Sequence, residues 1–367
     1  MTEMPGDVTL SIRDDVSLAP MTTLELGGNA RHLVEAADDA TVVEALRWAE
    51  ARALPALILG GGSNVVIADR GFDGLVIRLA TRGRRFEDAG GTVTLTAAAG
   101  EPWDDVVAES VARNLAGLEC LSGIPGLVGA TPIQNVGAYG QEVADTIRSV
   151  KVLDRASKRV HELAPDACAF AYRDSAFKRA PDRHVVLAVT FALRPGGPPT
   201  LRYRELSDAL GGAARPTLAE VRATVLALRR KKSMVIVDGD PNRRSVGSFF
   251  MNPIVPAAEA DAVAARAVAL GAIATAGEMP RWPAPGGAVK LSAGWLIERA
   301  GIRKGHRRGA VGVSSAHALA LVHHGGGSTA ALLELAREVG DAVHARFAMT
   351  LLPEPTLIGT AWPAPRS

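Results

Sequence analysis

In the segment from residue 38 to 49 the apolar positions Val42, Val43, Leu46 and Ala49 recur at helical spacing. Asp38 and Asp39 stand at its start, where the positive end of a helix dipole favours acids. Leu54-Pro55-Ala56-Leu57-Ile58-Leu59 is then a continuous apolar run of strand length that enters Gly60-Gly61-Gly62. A GxGxxG dinucleotide fold would open a helix here; Val65-Val66-Ile67-Ala68 and Leu75-Val76-Ile77 read instead as two more strands. Strands are also predicted at 93–96, 149–153 and 184–189, with a helix over 103–114. Pro195 to Pro199 reads as a linker, and Thr217-Leu218-Ala219-Glu220 is a capping box opening a helix that ends in Arg229, Arg230, Lys231 and Lys232. An alanine-rich helix over 257–270, a Pro/Gly loop at 280–287 and helices over 292–300 and 328–347 complete the pattern. Strands and helices mixed in this way predict an α+β fold.

At 367 residues the chain has room for two or three domains. Its 47% hydrophobic and 22% charged residues are ordinary for a globular protein, and a net charge of +2 argues against a nucleic-acid binder. Residues 1–20 carry four acids and no apolar core, unlike a signal peptide, and no run reaches the ~18 apolar residues of a membrane span. The expectation is a cytoplasmic protein without membrane segments. Cys120 and Cys168 lack metal or disulfide spacing, and the eight histidines show no metal pattern. His323-His324, before three glycines, is expected in an exposed loop.

Gly60, Gly61, Gly62, Ser63 and Asn64 could hold a phosphate on backbone N–H groups, although a plain strand-connecting turn needs glycine too. The segment from Gly123 to Gly140 is more telling. It packs Gly123, Pro125, Gly126, Gly129, Gly137 and Gly140 among apolar residues, with Gln134, Asn135 and Tyr139, where a purely structural loop would be polar. Close approach of backbone to a ligand explains that composition. Arg173, in Tyr172-Arg173-Asp174-Ser175, can hold a carboxylate in its fork, and Arg229 to Lys232 sit at a helix C-terminus, where cations are favoured in any case. Ser248, in Gly247-Ser248-Phe249-Phe250, is no GxSxG nucleophile; between glycine and aromatics it suits a desolvated proton donor. Glu354 is held between Pro353 and Pro355.

These segments, in order and joined by Ala293-Gly294-Trp295-Leu296-Ile297, resemble the UDP-N-acetylenolpyruvoylglucosamine reductase family over about residues 22–359, in its branch with a tyrosine loop that closes on substrate. The resemblance implies an N-terminal arm (1–20) and a PCMH-type, vanillyl-alcohol-oxidase-like FAD-binding region of two α+β subdomains (21–198). It implies a separate α+β substrate-binding domain (215–348) and a tail (349–367) returning Glu354 to the active site. It implies FAD, bound non-covalently by the two glycine-rich loops, with NADPH as co-substrate. The implied reaction is a hydride relay reducing UDP-N-acetylglucosamine enolpyruvate to UDP-N-acetylmuramate for peptidoglycan synthesis, in a monomer.

Carried over by motif, Arg173 and Glu354 polarise the substrate carboxylate and stabilise the enolate-like intermediate, and Ser248 protonates the α-carbon. Tyr203, Arg229, Lys232, Asn252 and Arg307 would contact the sugar nucleotide; Arg307 stands where the family aligns a glutamine, and Pro355-Thr356 where it continues with valine and arginine. Two other readings stay open on the residues: an oxidase of the same flavin fold, and a flavin-free protein that binds the sugar nucleotide.

Overall fold

The computed structural model describes residues 9–211 and 215–362. Residues 1–8 of the expected arm and 363–367 of the expected tail lie outside the described residues. The described chain divides into two compact units. One comprises Ala30–Gly62 and Phe72–Val235 with the described residues before Ser17; the other comprises Ser17–Asn29, Ser63–Gly71 and the chain from Ile236 onward.

In the first unit the striped segment is the helix Asp39–Glu50. Asp38 caps it, its carboxylate accepting from Thr41 N at 2.7 Å. The stripe (Val42, Ala45, Leu46, Ala49) is buried with Val34, Leu75 and Ile77 of the strands beneath. Those strands lie in the order Arg13–Ser17, Asn29–Ala36, Phe72–Leu79, Ala56–Leu59, with Phe72–Leu79 parallel to both neighbours named beside it. Parallel pairing explains why Ala56–Leu59 reads as an apolar run rather than an alternation.

A second, antiparallel sheet runs Val160–Leu163, Ile147–Asp154, His184–Pro195, Val93–Ala98, Arg84–Asp88. Trp103, Val106 and Val107 of the helix Trp103–Ala112 join Leu95, Val150, Val189 and Phe191 in its core. The capping box at Thr217 and Glu220 is formed and opens the helix Leu218–Lys231. This helix buries Val221 and Val225 with Cys120 and Leu206, so it packs in the first unit, whose last stretch runs to Val235.

The second unit is built on the helices Ala257–Ala269, Ala293–Arg299 and Thr329–Phe347. Its core gathers Phe249, Phe250, Leu296, Ile297, Leu335, Val339 and Phe347. Two features depart from the sequence reading. The expected loop at 280–287 contains the strand Arg281–Pro283, which pairs with Val289–Leu291; at three residues it is too short to leave a periodic signal. His323 is not in an exposed loop: it ends the strand Leu321–His323 and is 6% exposed. Its Nδ1 lies 3.0 Å from Leu24 O, and Gly327 N donates to its Nε2 at 3.0 Å, so the neutral Nδ1–H tautomer satisfies both bonds. A parallel pair, Val65–Ile67 with Thr356–Ile358, closes the unit, and the Asp69 carboxylate accepts from Thr329 N and Ala330 N at the start of the last helix. Among the described residues no helix is long and apolar enough to cross a membrane.

Candidate active site

In the first unit the two glycine-rich loops cross. The strand Ala56–Leu59 delivers Gly60 and Gly61, and a Cβ on Gly61 would stand 2.9 Å from the Cα of Gly126. Only glycine permits that approach. Gly129 is equally close to Ala99, so its role is to pack the loop against the sheet. Around the crossing, Ile124, Val136 and Ala138 are only half-buried and Ile133 is 38% exposed. A backbone surface flanked by uncovered apolar side chains fits FAD, whose pyrophosphate needs close N–H groups and whose ring system needs a flat apolar wall.

Asn135 differs from its neighbours in the cofactor loop. Its side chain turns inward, 1% exposed, donating to Glu142 Oε2 (2.8 Å) and Ala171 O (3.0 Å) and accepting from Ala144 N (3.3 Å). It fixes the loop and offers no side-chain group to a ligand. Gln134 accepts from Lys178 Nζ at 3.0 Å.

Arg173 stands in a tight turn closed by reciprocal bonds between Ala171 and Asp174. Its Nη2 donates to Gly137 O at 2.9 Å, and a Cβ on Gly137 would come within 3.3 Å of its Nη1. The glycine leaves room for the guanidinium. Nearby in the same unit, Tyr139 and Tyr203 meet edge to face at 5.5 Å, and Lys232 Nζ lies 5.9 Å from the Tyr139 ring centre. Burial pushes the Tyr139 phenol up to about 12 and keeps it a donor at neutral pH. Burial likewise pushes Arg229 down to about 10, still charged at neutral pH; its Nη2 donates to Gly123 O and Met234 O. Its Nε is buried without a hydrogen-bond partner. Lys232 is paired with Glu205 at 2.6 Å.

In the second unit Ser248 and Glu354 lie on adjoining segments. Phe250 bridges Pro353, and Glu354 N donates to Phe249 O at 2.8 Å, so Glu354 takes part in that pairing and Ser248 directly precedes it. Both are half-buried. Thr356 N donates to Asn64 O at 3.0 Å, which ties this segment to Ser63 and Asn64. Asn252 accepts from Ala293 N at 3.0 Å at the start of the helix Ala293–Arg299. Arg307 is exposed and donates to Gly309 O of its own turn.

The sequence reading missed Glu205, Lys178 and the pair Asp104–Arg222, whose bonds of 2.6 and 2.8 Å fix the carboxylate that also accepts from Gly123 N. Only proximity in sequence, Glu205 to Tyr203 and Lys178 to Arg173, carried any signal.

The crossed loops and the two-sheet α+β region define a flavoprotein of the PCMH type, and residues 30–164 match the model of an FAD binding domain. Residues 240–358 match the UDP-N-acetylenolpyruvoylglucosamine reductase C-terminal domain. A UDP-N-acetylenolpyruvoylglucosamine reductase of Saccharopolyspora erythraea is 51% identical over 94% of this chain and 95% of its own length. One from Streptomyces coelicolor is 49% identical over 95% and 90%. The crystal structure of the corresponding reductase from Thermus caldophilus aligns with a TM-score of 0.64 at 25% identity, covering 95% of this chain and 99% of that one. The chain belongs to the UDP-N-acetylenolpyruvoylglucosamine reductase family.

Proposed function

We infer that this chain reduces UDP-N-acetylglucosamine enolpyruvate to UDP-N-acetylmuramate with NADPH, through bound FAD, in peptidoglycan precursor synthesis. The observation that carries this is the near-full-length relation to proteins named for that substrate, with both glycine-rich loops present. FAD, held by the loops around Gly60–Asn64 and Gly123–Gly140, would supply two-electron hydride transfer between NADPH and the β-carbon of the enol ether.

The chain's own residues have the other half of the work. Addition of hydride leaves charge on the α-carbon and the carboxylate beside it, and we assign Arg173 and Glu354 to stabilise that charge. Ser248 gives its Oγ proton to the α-carbon and is reprotonated from solvent. A hydroxyl is a poor acid in water, but beside a strongly basic carbon its proton transfers. Lys232 and Arg229 are assigned to the diphosphate, with Tyr203 closing over the nucleotide and Asn252 and Arg307 as further substrate contacts. The Lys232–Glu205 pair supports this reading: a carboxylate already occupies the ammonium that the diphosphate would take. The substrate is a nucleotide sugar of the cytoplasm, the location proposed for the enzyme, which we take to act as a monomer.

The test is an anaerobic titration of the purified, FAD-loaded protein. NADPH should bleach the visible flavin band, and the enolpyruvyl substrate should restore it. Bleaching without restoration would move the assignment to another acceptor, as in an oxidase. A protein that binds the sugar nucleotide but no FAD would be the binding protein instead.

A further inference from the structure

Arg173 has φ of 54°, in the left-handed region. That position of a turn ordinarily takes glycine or asparagine, and an arginine there is held against its own preference. Backbone strain of this kind persists only when neighbouring groups over-determine it, and it concentrates where a side chain must be aimed.

The neighbours are identifiable. Asn135 Nδ2 donates to Ala171 O at 3.0 Å, at the entry to the turn. At its exit, Ser175 is fully buried and donates from Oγ to Ile133 O at 2.8 Å, while Arg179 pairs with Asp174. The carbonyl of Arg173 itself is taken by Lys178 Nζ at 3.0 Å, and the same ammonium reaches Gln134 Oε1 at 3.0 Å. Lys178 lies in the last turn of the four-residue helix Ala176–Arg179, where a cation would ordinarily serve the helix's own carbonyls. Two bonds of its ammonium run elsewhere, one to the turn and one to the cofactor loop.

We propose that Lys178 is a positioning residue for Arg173. Its ammonium fixes the left-handed carbonyl and ties the turn to Gln134, so that the Arg173 guanidinium is presented from a rigid base beside Gly137. This rests on the reading of Arg173 as catalytic. A charge-assisted bond to a backbone carbonyl is the strong kind, and its loss frees the peptide to rotate out of the strained state. The guanidinium then loses its aim without any change in charge at the substrate.

The test compares Lys178→Met with the parent and with Arg173→Ala, all FAD-loaded. Lys178→Met should slow recovery of the flavin band on adding the enolpyruvyl substrate by about 10- to 100-fold, the cost of a misplaced catalytic group. The rate of bleaching by NADPH and the FAD affinity read by flavin fluorescence should stay at the parent's values. The loss should fall on kcat with little change in KM, and methylammonium in the buffer should restore part of it. If Lys178→Met does not fold, Lys178→Gln decides by the same ratio. Recovery at the parent's rate, or equal loss in bleaching, recovery and FAD affinity, overturns the proposal. If Arg173→Ala recovers at the parent's rate, the catalytic reading of Arg173 falls and the proposal with it; a loss in Arg173→Ala but not in Lys178→Met removes Lys178 alone.

Discussion

Single side chains in this protein divide into those that face a ligand and those that hold the facing residues still. Ser248 is assigned to the first kind in the function proposed above. Ser248→Ala is expected to leave bleaching by NADPH intact and to slow recovery by substrate by about 10²- to 10⁴-fold, the range for a lost general acid, in the same stopped-flow trace. Asn135 is of the second kind. Asn135→Ala removes one donor each from Glu142 and the Ala171 carbonyl and should cost about 1–3 kcal/mol in denaturant unfolding. The motif around Asn135 was legible in the sequence, but the direction of its side chain was not. An asparagine serves a ligand or its own backbone with the same atoms, and only the position of Glu142 and Ala171 decides. His323 was misread for a similar reason: glycines after it signal a turn and say nothing of the carbonyl of Leu24 that receives its ring N–H.

Among the elements, the long ones were readable because each carries a stripe and a cap of its own. The helix Leu218–Lys231 has both, and Thr217→Ala should lower stability by about 1 kcal/mol through loss of the cap. Pairs of residues from different helices had no such signal. Asp104, at the start of Trp103–Ala112, meets Arg222 from Leu218–Lys231. Burial opposes charge on Asp104, but the bonds from Arg222 and Gly123, with the Arg222 charge, outweigh it and hold the carboxyl below its usual range. A depressed carboxyl contributes stability that is fully present above the ordinary aspartate value and fades as pH falls through its own. The melting-temperature gap between the parent and Asp104→Asn should therefore be constant near neutrality and shrink below about pH 4. A gap that does not change with pH would mean that the ion pair contributes nothing to it. The strand Arg281–Pro283 was lost to the reading on length alone.

The two units alternate along the chain. Nothing in composition changes at 215, yet Val221 and Val225 find their apolar partners, Cys120 and Leu206, in the first unit. As FAD binds only the folded protein, adding it at about a hundred times its dissociation constant should stabilise the fold by ~2.7 kcal/mol, read as a rise in melting temperature of the FAD-stripped enzyme. The parallel pair of Val65–Ile67 with Thr356–Ile358 has a temporal side as well. On the ribosome, a strand with buried Val66 and Ile67 has to wait for the chain through residue 358 before its partner exists. All residues of the first unit have been made once Val235 is added, whereas the second cannot close its edge until Ile358 is made. An unpaired apolar edge exposed for that long is a template for wrong pairing while synthesis proceeds.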